Sequence, residues 1–140
     1  MSIIQTQTTS FKVELYQAIH NLLTDTLKIA LYTGNATLNE STTAYSSTNE
    51  VVGAGYTAGG VTITGVTVNS SEYTAYVSFN NPNWTSASFT ARAALIYNSS
   101  KANRSIAVLD FGADKTVSGN TFTVTLPTNS ATDALIRSSN

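Results

Sequence analysis

Tyr73-Thr74-Ala75-Tyr76-Val77-Ser78-Phe79 sets residues 73, 75, 77 and 79 against Thr74, Tyr76 and Ser78. That period of two is the mark of a strand with one buried and one wetter face. Tyr73, Val77 and Phe79 read as the core side. The same period recurs on both sides of this stretch. Leu27, Ile29 and Leu31 alternate with Lys28, Ala30 and Tyr32, and Phe122, Val124 and Leu126 alternate with Thr121, Thr123 and Thr125. Val61, Ile63, Val66 and Val68 form another run, with Gly65 breaking phase as a bulge or turn would. Phe89 to Tyr97 is apolar on both faces except at Thr90 and Arg92, which predicts a central strand, and Ile106 to Phe111 is similar. Ala134-Leu135-Ile136 is a short run suited to a sheet edge.

Turn residues punctuate these runs at Asn69-Ser70-Ser71, Asn80-Asn81-Pro82-Asn83, Asn98-Ser99-Ser100, Gly112, Ser118-Gly119-Asn120 and Pro127. Strands spaced roughly every 10 to 15 residues predict a two-layer antiparallel β-sandwich, jelly-roll or Ig-like. Trp84, between a turn and an apolar strand, is expected to be at least partly buried, its ring packed at the sandwich end. One segment has a different period. After Ser10, a good N-cap, Phe11, Leu15, Ala18 and Leu22 recur at helical spacing, flanked by Ile19 and Leu23. The reading is an amphipathic helix over residues 10–24, too short to be stable unless its apolar face packs on a sheet or on a partner.

The chain thus reads as one all-β domain over residues 1–140, with an N-terminal arm at 1–9. Thr33 to Asn49 lacks a strong period, and a connection of that length is expected to be a surface arm or contact loop, or else an irregular edge strand. Composition agrees. Ser, Thr and Asn supply 53 of the 140 residues, and only 11% are charged, against about 25% in an ordinary soluble domain. The surface must be largely neutral and polar.

The same arithmetic weighs against several functions. Seven basic and eight acidic residues leave a net charge of −1, whereas phosphate-neutralising nucleic-acid binders need a basic excess. No apolar run nears the roughly 18 residues of a membrane span, and Met1-Ser2-Ile3-Ile4-Gln5-Thr6 has no basic start followed by an apolar stretch, so no signal peptide is expected. Cysteine is absent, and His20 is the one histidine; a Cys/His zinc set cannot be assembled. His20 reads as a boundary residue bonded to backbone. The carboxylates are scattered and contain no calcium-loop pattern. Asp110-Phe111-Gly112 matches three letters of a kinase signature without its companions. Gly53-Ala54-Gly55 with Gly59-Gly60 has no following Lys-Ser/Thr and reads as a flexible turn. Asn-x-Ser/Thr triplets are expected by chance in this composition. No catalytic, cofactor-binding or metal residues are predicted, and an enzyme is not the expected reading.

The stretches Lys28–Gly34, Thr42–Gly60, Phe89–Asn98 and Val108–Lys115, within a span from about Ser10 to Ile136, resemble a family of small virion structural proteins of tailed bacteriophages. The resemblance carries no chemical motif and implies no catalytic residues. It implies a module made in the host bacterial cytoplasm and built into the virion, with other phage virion proteins as partners and itself homo-oligomeric. A capsid decoration (cement) protein is the first expectation. A neck or tail component (adaptor, fibre or knob) is the second, and a carbohydrate-binding module using exposed Tyr residues the third. The candidate protein-contact residues are Phe11, Leu15 and Ile19 on the helix, with Leu38 and Tyr45 in the long loop.

Overall fold

The computed structural model describes residues 2–139 and is an all-β sandwich with one short N-terminal helix. Its centre is a five-stranded sheet. Strands β3 (Leu27–Tyr32), β8 (Asn83–Asn98) and β9 (Arg104–Thr123) form the middle, and two-residue strands β2 (Thr6–Gln7) and β5 (Val61–Thr62) close the sides in the order β2-β9-β8-β3-β5. β3 runs antiparallel to β8 from Leu27↔Asn98 to Tyr32↔Ala93.

Both faces of this sheet are covered, which is why Phe89–Tyr97 and Leu27–Tyr32 are apolar almost throughout. Leu27, Ile29, Leu31, Ala94, Ile96 and Leu109 face one way, into the main core. That face is capped by a second sheet, β10-β7-β6, made of β6 (Thr67–Ser71), β7 (Thr74–Ser78) and β10 (Ile136–Ser138), and by helix α1 (Thr9–Tyr16), which contributes the fully buried Phe11. Ala30, Tyr32, Ala93, Leu95, Tyr97 and Val108 face the other way. Burying each such Leu or Ile contributes about 1.5–3 kcal/mol. Trp84 is buried as its position predicts, against Tyr56 and Phe122, both of which also meet Phe89.

The second face is covered by the segment expected to be a surface loop. Residues 33–49 fold back across the sheet, inserting Ala36, Leu38 and Tyr45. The arm also holds β4 (Thr37–Leu38), which pairs in parallel with β1 (Ser2–Ile3). The N-terminal arm is therefore stitched into the fold, by β1 to the loop and by β2 to β9.

Three sequence expectations are corrected. The helix ends at Tyr16, and its N-cap is Thr8, whose hydroxyl accepts from the Phe11 N–H. Ala18 turns left-handed (φ 59°), the Ile19 N–H donates to the Glu14 carbonyl and the Ala18 N–H to that of Leu15. This is a Schellman stop built on alanine, so no glycine advertised it. Asn69-Ser70-Ser71 lies inside β6 instead of forming a turn. The turn is Glu72-Tyr73, which leaves Tyr73 84% exposed while Val77 and Phe79 are buried. Finally, the runs at Ile106 and Phe122 are the two halves of one strand. β8 is long enough to pair with both, and residues 111–114 are absorbed as a bulge between Asp110↔Ala93 and Lys115↔Ala91. Gly112, at φ 80°, makes that bulge and receives the Asp110 side chain on its N–H.

Candidate functional site

The sandwich does not close evenly. Val68, Val77 and Ile136 form one cross-strand row on the inner face of β10-β7-β6. Val77 and Ile136 are buried, but Val68 is 51% exposed because the opposing layer does not reach it. Across from it lie the end of α1 and the turns after it, which expose Leu15 and Leu23. Between the two runs a mainly apolar cleft of about 460 Å³, with Phe11 at its floor. Exposed apolar residues grouped around one concavity mark a contact surface more than a reaction site.

The five predicted contact residues separate on this map. Leu15 lines the cleft and is exposed. Phe11 is fully buried, because the helix is anchored through it. Ile19 lies beyond the helix end, half-buried, held by the Schellman bond. Leu38 is buried beneath the folded-back arm, and Tyr45 is stacked on Tyr97 with centroids 4.7 Å apart. Phe11 and Leu38 are thus core residues in the folded chain. Leu23 and Val68 were not singled out, although Leu23 flanked the helical run. The exposure of Val68 depends on where the opposing layer stops, and no local pattern encodes that.

The most elaborate polar arrangement is buried. Glu50, only 7% exposed, accepts three hydrogen bonds. Tyr45 Oη donates to its Oε1 at 2.6 Å, while Tyr56 Oη and the Gly59 N–H donate to its Oε2. Tyr56 Oη in turn accepts from the Leu31 N–H, and Tyr97 Oη donates to the Gly59 carbonyl at 2.6 Å. Tyr32 Oη closes the set on the Ser46 carbonyl. Burial, then the proximity of the Glu50 carboxylate, raises the pKa of Tyr32 and Tyr97 above the ordinary tyrosine value. Tyr45 and Tyr56 are raised by burial and then by their bonds to Glu50. A buried charge is tolerable only with such donors. The arrangement ties the 33–49 arm and the glycine-rich turn to the sheet. That turn, read as flexible, is clamped on both sides of Gly59.

His20 sits in a second network rather than on backbone. Its Nε2 lies 2.8 Å from Glu14 Oε1, and its Nδ1 lies 3.0 Å from Asn98 Nδ2. Asn98 also donates to Asp25 and accepts from the Ser100 N–H, so its amide orientation is fixed. His20 Nδ1 is therefore an acceptor and Nε2–H the donor to Glu14. Arg104 bonds the other Glu14 oxygen at 3.0 Å. Burial pushes the Asp25 pKa up, but the Asn98 and Asn21 N–H bonds with Lys101 nearby outweigh it and hold the carboxyl below its ordinary value. With its ring nitrogens both engaged, His20 joins helix to sheet. Among the described residues no group of three or more His, Asp or Glu side chains is placed to hold a metal ion.

The sequence matches no protein-family model, no curated protein and no solved structure.

Proposed function

We propose that this protein is a structural subunit of a tailed-phage virion, and that it works as a capsid decoration protein binding across neighbouring shell subunits. The observation that carries the reading is the mainly apolar cleft rimmed by the exposed Leu15, Leu23 and Val68. The resemblance of the sequence to small phage virion proteins supplies the setting. A cement protein needs no chemistry. It needs a pre-formed surface that removes apolar area from water in each contact, repeated by symmetry so that weak contacts add. Tying the helix end through His20 to Glu14 and Asn98 gives that surface a fixed shape, which lowers the entropic cost of docking.

Binding the assembled shell in preference to its parts stabilises the shell. The test compares particles with and without the protein for heat-induced DNA release. Decorated particles are expected to release DNA at higher temperature. Because few charges are present, the difference should persist at high salt, unlike one built on ion pairs. Equal release temperatures, with infectivity lost only when the protein is missing, would refute the cement reading and favour a neck or tail station.

A further inference from the structure

The geometry points to β6 as a homodimerisation edge: two copies of the chain join β6 to β6 antiparallel across a two-fold axis, giving one six-stranded sheet. The inference stands on the strand itself and does not depend on the virion reading.

β6 ends its sheet, and among the described residues no backbone hydrogen bond outside the β6–β7 ladder involves residues 67–71. The two-residue turn Glu72-Tyr73 makes Ser71↔Thr74 a hydrogen-bonded pair, so Asn69 and Thr67 also bond to β7. Val68 and Ser70 therefore aim their N–H and C=O groups away from the molecule. An edge of this kind recruits another strand unless something blocks it. The other strands that end a sheet are shorter. β2 and β5 are two residues long, and β10 is three long with its Arg137 carbonyl already taken by Gln7 Nε2. β6 has five residues, Thr67-Val68-Asn69-Ser70-Ser71, with no charge and no proline.

The occupant follows from self-complementarity. Only the register that sets Asn69 against Asn69 of the second copy overlaps all five residues. It is also the register in which the outward-facing groups meet. Val68 of each copy opposes Ser70 of the other, and each such pair exchanges two N–H···O=C bonds. Glu72, the nearest charge, then opposes Val66 of the other copy, about 20 Å from its own mate at roughly 3.3 Å per residue. No like charges meet. The half-exposed Val68 side chains come together on the inner face, so the two apolar clefts become neighbours across the axis.

The register gives a covalent test, because the chain has no cysteine. Across the axis Asn69 forms a non-hydrogen-bonded pair, whose Cα atoms lie about 4.5 Å apart, within reach of a disulfide. Under mild oxidation Asn69→Cys should convert almost completely to a linked dimer. Thr67→Cys, which opposes Ser71, should stay uncrosslinked. Sedimentation of the full unmodified chain at tens of micromolar should show a dimer. Ser70→Pro removes an N–H that β7 does not use, so it should give a monomer with the wild-type far-UV CD spectrum. If Ser70→Pro misfolds, the cysteine pair still decides. A monomeric wild-type chain at these concentrations would overturn the inference and leave β6 to a strand from a different protein. A dimer in which Asn69→Cys crosslinks no better than Thr67→Cys, or one that survives in folded Ser70→Pro, would also overturn it.

Discussion

Replacing Glu50 with alanine should be among the most damaging single changes in this chain. The substitution removes a carboxylate and leaves three donors, Tyr45 Oη, Tyr56 Oη and the Gly59 N–H, without their acceptor. A buried donor left unsatisfied costs about 1–3 kcal/mol. The tyrosine hydroxyls can rotate, whereas the Gly59 N–H cannot, so the low end applies to the first two. The total for Glu50→Ala is then about 3–5 kcal/mol. Glu50→Gln keeps one carbonyl oxygen and the shape of the side chain, and should cost about 1–2 kcal/mol. Urea unfolding reads both through the midpoint at constant slope. The alanine variant should also lose protection in residues 33–49, measured by limited proteolysis, before the core is attacked. A Glu50→Ala protein within about 1 kcal/mol of wild type, with the arm still protected, would show that Glu50 does not hold the arm to the sheet.

The remaining predictions concern backbone and pH. Gly60 has φ 79°, and a Cβ there would lie 1.7 Å from the Ile29 carbonyl oxygen; Gly60→Ala should cost about 3–5 kcal/mol by strain plus overpacking, measured by urea unfolding. Ala18→Gly relieves a left-handed alanine worth about 1–2 kcal/mol at an unfolded-state cost of about 0.5–1 kcal/mol, so Tm should rise by roughly 1–4 °C. Tyr32, Tyr45, Tyr56 and Tyr97 have folded pKa values above the unfolded value. Their contribution to stability is full below pH about 10 and is lost as pH rises toward the folded values. Tyrosinate absorbance should therefore show these four ionising only together with unfolding, and a smooth titration of all seven tyrosines in the folded chain would contradict the burial of the cluster.

Much of the sheet was legible because strand period and burial are local signals. Leu27–Tyr32 and Phe89–Tyr97 were readable as strands, and the second as one covered on both faces, since Ala93-Ala94-Leu95-Ile96-Tyr97 runs without a charged residue. What was illegible depended on distance. Glu50 looked like one of eight scattered carboxylates, and its three donors come from residues five, six and nine positions away, folded round by the arm. The helix stop at Ala18 lacked the usual glycine, and the apolar spacing of Ile19, Leu22 and Leu23 ran on past it into turns. Asn69-Ser70-Ser71 has turn composition but strand geometry, because β7 pairs with each of its residues. Leu15, expected as a contact residue from its place on the helix, is exposed and lines the cleft. Val68 was not, because its exposure is set by the length of the opposite layer.

The proposed function makes the chain a repeated structural element of a phage shell. A reconstruction of the purified particle, with this chain located and counted, decides it. Copies by the hundred are expected, spread over the capsid lattice, with the Leu15–Leu23–Val68 cleft occupied by a neighbouring chain. About 3 to 12 copies at a vertex or on the tail axis, or no copies in the particle at all, would contradict it.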